Sequence, residues 1–100
     1  VAMTTKQLES DFSARLRDSI RQSHDLGYHP TRFEQMLDEQ GALGLARKLI
    51  KSGEIQDGFK AVVKLGRKDL TMESIMLEPQ FKRLFSAGEL EAATWRLGQA

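Results

Sequence analysis

The chain has 100 residues, 40% hydrophobic and 29% charged, which suffices for one modest core and leaves no room within it for a second domain of ordinary size. Without cysteine it can build neither a disulfide framework nor a thiolate metal site, and its formal net charge is only +1. No run of roughly 18 apolar residues and no signal-peptide pattern occurs, so the expectation is a cytoplasmic protein whose natural chain starts at Met3, with Val1 and Ala2 extraneous to it.

The N-terminal segment reads as a helix over about residues 5–25. Thr4 and Gln7 form a capping box, Leu8, Phe12, Leu16 and Ile20 recur every four residues, and Gly27 after Leu26 supplies a left-handed stop. Two roles stay open for this narrow stripe. It is a core face, or it is a coiled-coil-like seam for association with another protein or with a second copy in a homodimer. Pro30 breaks the helix, because the residue before proline is pushed out of the α region. Thr31 with Glu34 predicts a second capping box, opening a short helix with Phe33, Met36 and Leu37 inward and Gly41 near its end. Leu43, Leu45, Ala46, Leu49 and Ile50 predict a third helix over about 42–52, closed by Gly53. A fourth is expected over about 56–65, with Phe59, Val62, Val63 and Leu65 inward and Gly66 ending it.

The stretch LGRKDLTMES follows as a polar corner between two apolar runs. Leu70 is expected to pack back on the core, Thr71 to cap the next helix, and Glu73 to sit favourably in its first turn. Ile75, Met76 and Leu77 continue the apolar face, and Pro79 suits the first turn of a short helix carrying Phe81, Leu84 and Phe85. Ser86 with Glu89 is a third capping box, starting a last helix striped by Leu90, Ala93 and Leu97 with Trp95 to one side. No alternating strand pattern competes. The expected fold is all-α, a compact single domain of about five to seven short helices with a longer N-terminal one. Its core should include Phe33, Leu37, Leu49, Phe59, Val63, Leu70, Leu84, Phe85, Leu90 and Leu97.

No catalytic set assembles on paper. Ser23, His24 and Asp25 are successive helical residues pointing about 100° apart, which cannot line up along one proton path. His24 and His29 lie across a glycine turn and lack the spacing and carboxylate set of a helical metal site. GALGLARKL matches neither a P-loop nor a dinucleotide fingerprint, and its Gly44 reads equally well as a close-packing position. Neither a metal nor any cofactor is therefore expected.

Charge is unevenly spread, with net −2 over residues 1–41, +4 over 42–70 and −1 over 71–100. The basic middle reads as solvated helix faces or as a surface for an anionic partner. On the second reading, Lys60, Lys64, Arg67 and Lys68, joined by Arg47 and Lys51, would meet the phosphates of a nucleic acid without reading bases. On the first, Gly66, Arg67, Asp69, Thr71 and Glu73 form a structural corner in which either Arg67 grips Asp69 as a fork grips a carboxylate or Asp69 accepts from backbone N–H groups of the helix behind it.

The segments GYHPTRFEQMLDEQGALGLARKLI, DGF, LGRKDLTMES and RLFSAGELEAATWRL together resemble a helical module of uncharacterised bacterial proteins. That module's pattern is Gly-Tyr, Pro, Phe, Met-Leu, then Gly-Phe, Gly-Arg-x-Asp-Leu-Thr-x-Glu, Leu-Phe and Glu-Leu. The likeness covers about residues 27–97, with Ala42 standing where the pattern has a second glycine, and it divides the chain into an N-terminal amphipathic helix, 1–26, and the module, 27–100. Such modules occur alone or joined to restriction and defence proteins. The resemblance therefore implies a non-enzymatic accessory or protein-interaction role in a bacterial or phage system. A nucleic-acid-binding adaptor using residues 47–68 is the alternative.

Overall fold

The computed structural model describes residues 4–52 and 57–99, over which the chain forms six α-helices and two 3₁₀ turns and no strand. The expected start at Met3 and the expected stop at Gly53 lie outside those residues. The helices are α1 (Thr5–Asp25), α2 (Thr31–Gln40), α3 (Ala42–Lys51), α4 (Asp57–Lys64), α5 (Met72–Met76) and α6 (Ala87–Gly98). The 3₁₀ turns span Lys68–Leu70 and Lys82–Leu84. The all-α single domain with a longer N-terminal helix is therefore the observed fold, with a radius of gyration of 12.8 Å. Among the described residues no helix is long and apolar enough to cross a membrane.

Local chemistry explains where the long elements begin and end. Thr4 and Gln7 exchange side-chain-to-backbone bonds at the start of α1, and Ser86 and Glu89 do the same at the start of α6. The ends of α1 and α4 are alike. Gly27 (φ 87°) and Gly66 (φ 75°) take the left-handed conformation, and the next amide reaches back five residues, Tyr28 N–H to the Ser23 carbonyl and Arg67 N–H to that of Val62. Gly41 (φ 77°) alone turns α2 into α3, so Ala42 is free to start α3 and is buried. The second capping box does not form. Pro30 occupies the N-cap of α2, Thr31 is already helical, and its hydroxyl donates to the His29 carbonyl instead.

Helix α1 is the beam on which the rest is laid, packing against α3, α5 and both 3₁₀ turns. Phe12 is fully buried between Phe81 and Phe85, edge to face at centroid separations of 5.4 and 5.3 Å. Leu8, Leu16 and Ile20 are buried in the same cluster. The reading of Leu8, Phe12, Leu16 and Ile20 as an association seam is thereby corrected, because the stripe is buried in the chain's own core, against which α3, α5 and the 3₁₀ turns pack. Of the expected core, Leu37, Leu49, Phe59, Leu70, Leu84 and Phe85 are buried, while Phe33, Val63, Leu90 and Leu97 are half-buried. Leu65 is exposed, since α4 has ended before it and Gly66 reverses the chain. No atom would approach a Cβ on Gly44 within 4 Å, so that position does not serve close packing.

Candidate functional site

Three surfaces remain after the core is accounted for: the basic corner, an apolar face of α6, and a groove between α1, α2, α3 and α4.

The basic corner is built by α4, whose Phe59 and Val62 turn inward and leave Lys60 and Lys64 exposed one turn apart on the opposite side. Past Gly66 the Arg67 guanidinium grips Asp69 through two 3.0 Å bonds, Nε to Oδ1 and Nη2 to Oδ2, and donates a third to Gln22 Oε1 on α1. The fork expected from sequence is thus present, and it also ties the corner to the beam. This pairing holds the Asp69 carboxyl below its ordinary range and pushes the Arg67 guanidinium up. Thr71 closes the corner, its hydroxyl donating to the Lys68 carbonyl and accepting from the Ser74 amide.

The six cations proposed for phosphate contact are divided rather than gathered. Arg47 faces α6, donating to the Leu84 carbonyl at 3.0 Å and pairing with Glu89 at 3.5 Å. Arg67 is spent on Asp69 and Gln22. Lys51, Lys60, Lys64 and Lys68 stay exposed and carry no ion pair among the described residues.

Glu73 lies in the first turn of α5, as expected, and its side chain turns inward and is 2% exposed. Its partner is Arg96 of α6, equally buried, with Nη1 3.4 Å from Oε2. Arg96 Nη2 also donates to the Leu49 and Ile50 carbonyls at 2.8 and 3.3 Å and to Ser52 Oγ at 3.3 Å. One guanidinium thus satisfies the C-terminal carbonyls of α3 and holds α5 and α6 to them. Burial pushes the Glu73 carboxyl above its ordinary range, and Arg96 opposes that only in part. Sequence reasoning overlooked Arg96; the signal was its place three residues beyond Ala93, on the inward stripe.

Ser23 and His24 do not meet. Ser23 is buried and donates to the Ser19 carbonyl, while His24 is exposed, 3.6 Å from Glu34 and in ring contact with His29. Among the described residues no group of three His, Cys, Asp or Glu side chains is placed to hold a metal ion.

The α6 face is apolar. Trp95 is 59% exposed and borders a shallow groove of about 500 Å³ with Leu77, Ala87, Leu90 and Thr94, rimmed by Lys82 and Glu91. Sequence reading placed Trp95 beside the stripe without assigning it a use. The third surface is a larger groove of about 690 Å³ between the last turns of α1 and the helices α2, α3 and α4. Comparison with family models, with curated proteins and with solved structures returns no match to this chain.

Proposed function

We propose that this chain is a non-enzymatic accessory module that docks on another protein through the Trp95 face of α6, within a bacterial or phage DNA-processing or defence system. The observation that carries the reading is the exposure of Trp95 beside Leu77 and Leu90. Tryptophan is the residue most enriched at interface hot spots, and an indole rimmed by aliphatic side chains gains most when a partner removes it from water. The setting comes from the resemblance of residues 27–97 to the bacterial helical module. As the only tryptophan in the chain, Trp95 also reports its own burial.

A second reading rests on Lys51, Lys60, Lys64 and Lys68, exposed and without carboxylate partners among the described residues. They suit a nucleic-acid backbone, which would show as a log-log salt slope of about −0.9 per phosphate neutralised. One experiment separates the two. The wild type, Trp95→Ala and Lys60→Glu/Lys64→Glu are each used as bait in lysate of the source cells, with nuclease-treated lysate in parallel. Docking through Trp95 predicts a stoichiometric protein partner retained by the lysine variant and after nuclease, but lost by Trp95→Ala. Retention unaffected by Trp95→Ala, together with loss on nuclease treatment and in the lysine variant, transfers the function to the basic corner.

A further inference from the structure

The walls of the 690 Å³ groove are apolar, supplied by Ile20, Phe33, Met36, Leu49, Phe59 and Val62. Its polar lining includes four buried side chains, Ser19, Ser23, Thr71 and Glu73. The hydroxyl protons there are all committed, Ser19 to the Leu70 carbonyl, Ser23 to that of Ser19 and Thr71 to that of Lys68. Arg96 is committed to Glu73 and to the end of α3. These buried groups therefore offer oxygen atoms and a carboxyl, and none of them has a spare proton donor. Arg32 and Lys48 also line the groove; both are exposed, and neither carries an ion pair among the described residues.

We propose that this groove binds a small amphipathic anion, an organic carboxylate or sulfonate with an apolar body, tail inward and head against Arg32 and Lys48. Charge complementarity fixes the orientation. An anionic head placed among those four buried groups would face Glu73 and lone pairs and would lose its hydration without gaining a donor from them, whereas against Arg32 and Lys48 it meets two exposed cations and stays partly in water. The volume lies within the range of about 300–1,000 Å³ usual for small-ligand pockets. The site is separate from the Trp95 face, so neither proposal depends on the other.

Anilinonaphthalene sulfonate and uncharged phenylnaphthylamine share an aromatic body and differ by the sulfonate, which makes them the test pair. Fluorescence titration of the full chain under folding conditions should show one saturable site for the sulfonate and weaker binding of the neutral compound. Arg32→Glu/Lys48→Glu should weaken the sulfonate roughly tenfold, the equivalent of two lost surface charge pairs, and leave the neutral compound unchanged. Met36→Trp, which fills the groove from its half-buried wall, should weaken both. Circular dichroism confirms that each variant is folded before titration, and Val62→Phe replaces Met36→Trp if that variant is not. The absence of a saturable site, equal affinity of the two compounds, or sulfonate binding indifferent to charge reversal or to filling overturns the proposal.

Discussion

Replacing Arg96 by methionine tests the internal architecture most directly. The substitution keeps an unbranched apolar stem and removes the guanidinium, leaving the Glu73 carboxyl buried without a counter-ion and taking one hydrogen bond from each of the Leu49 and Ile50 carbonyls. Breaking a buried pair by removing one partner costs about 3–5 kcal/mol, because the remaining group cannot recover its hydration. A domain of this size has a total stability of roughly 5–15 kcal/mol, so at the lower end the loss is more than about half of all it has. With a urea m-value of roughly 1.5 kcal/mol/M, the unfolding midpoint should fall by roughly 2–3 M. The pair contribution is isolated by a cycle with Glu73→Leu. Two groups in contact should couple by about 0.5–3 kcal/mol, and the double variant should be more stable than Arg96→Met alone, since no lone charge stays buried. A midpoint for Arg96→Met within about 0.3 M of wild type, or strict additivity of the two substitutions, would refute the clasp as described.

Phe12→Ala should cost about 3–5 kcal/mol in urea unfolding, since a fully buried ring in contact with two others leaves a cavity the core cannot close. Deleting residues 1–25 should leave a chain without cooperative thermal unfolding by circular dichroism, whereas an autonomous 27–100 module would keep its transition. Stability should also depend on pH in two opposed ways. Burial raises the Glu73 pKa in the folded state, so its contribution is full below the ordinary carboxylate value and lost as pH rises through the folded value; Glu73→Gln should flatten that decline. The Asp69 pKa is lowered by Arg67, so its contribution is present above the ordinary value and lost as pH falls through the folded one; Asp69→Asn should remove that acid-side loss. Urea unfolding between about pH 2 and 8 reads both slopes.

Sequence carried the elements that local chemistry decides. The four-residue spacing of Leu8, Phe12, Leu16 and Ile20, the capping pairs at Thr4 and Ser86, and the glycines at 27 and 66 each specify a boundary or a face without reference to the rest of the chain. What covers a face is a tertiary property. A seam for a second chain and a core face show the same periodicity, and only the arrival of Phe81 and Phe85 decides between them. Arg96 shows its inward position by its spacing from Ala93, but its partners stayed hidden for a related reason. A cation near a helix end is ordinarily solvated, and nothing local says that the end of α3 will lie against it. Thr31 failed as a cap because the proline before it took that position. The candidate grooves were less legible still, since each gathers side chains from separate elements; Arg67 and Asp69, two residues apart, were the part of the corner that sequence could pair.

The position of α1 has a consequence during synthesis. Phe12 leaves the ribosome roughly seventy residues before Phe81 and Phe85, the rings that enclose it. At a translation rate of about 5–20 residues per second, a nascent chain presents Phe12 without its two ring partners for roughly four to fifteen seconds. Through that interval an amphipathic helix of 21 residues is a substrate for chaperones and for its counterparts on neighbouring ribosomes. Completion of the core therefore waits for the emergence of the chain's last third, and codon choice over residues 13–85 sets how long the vulnerable interval lasts.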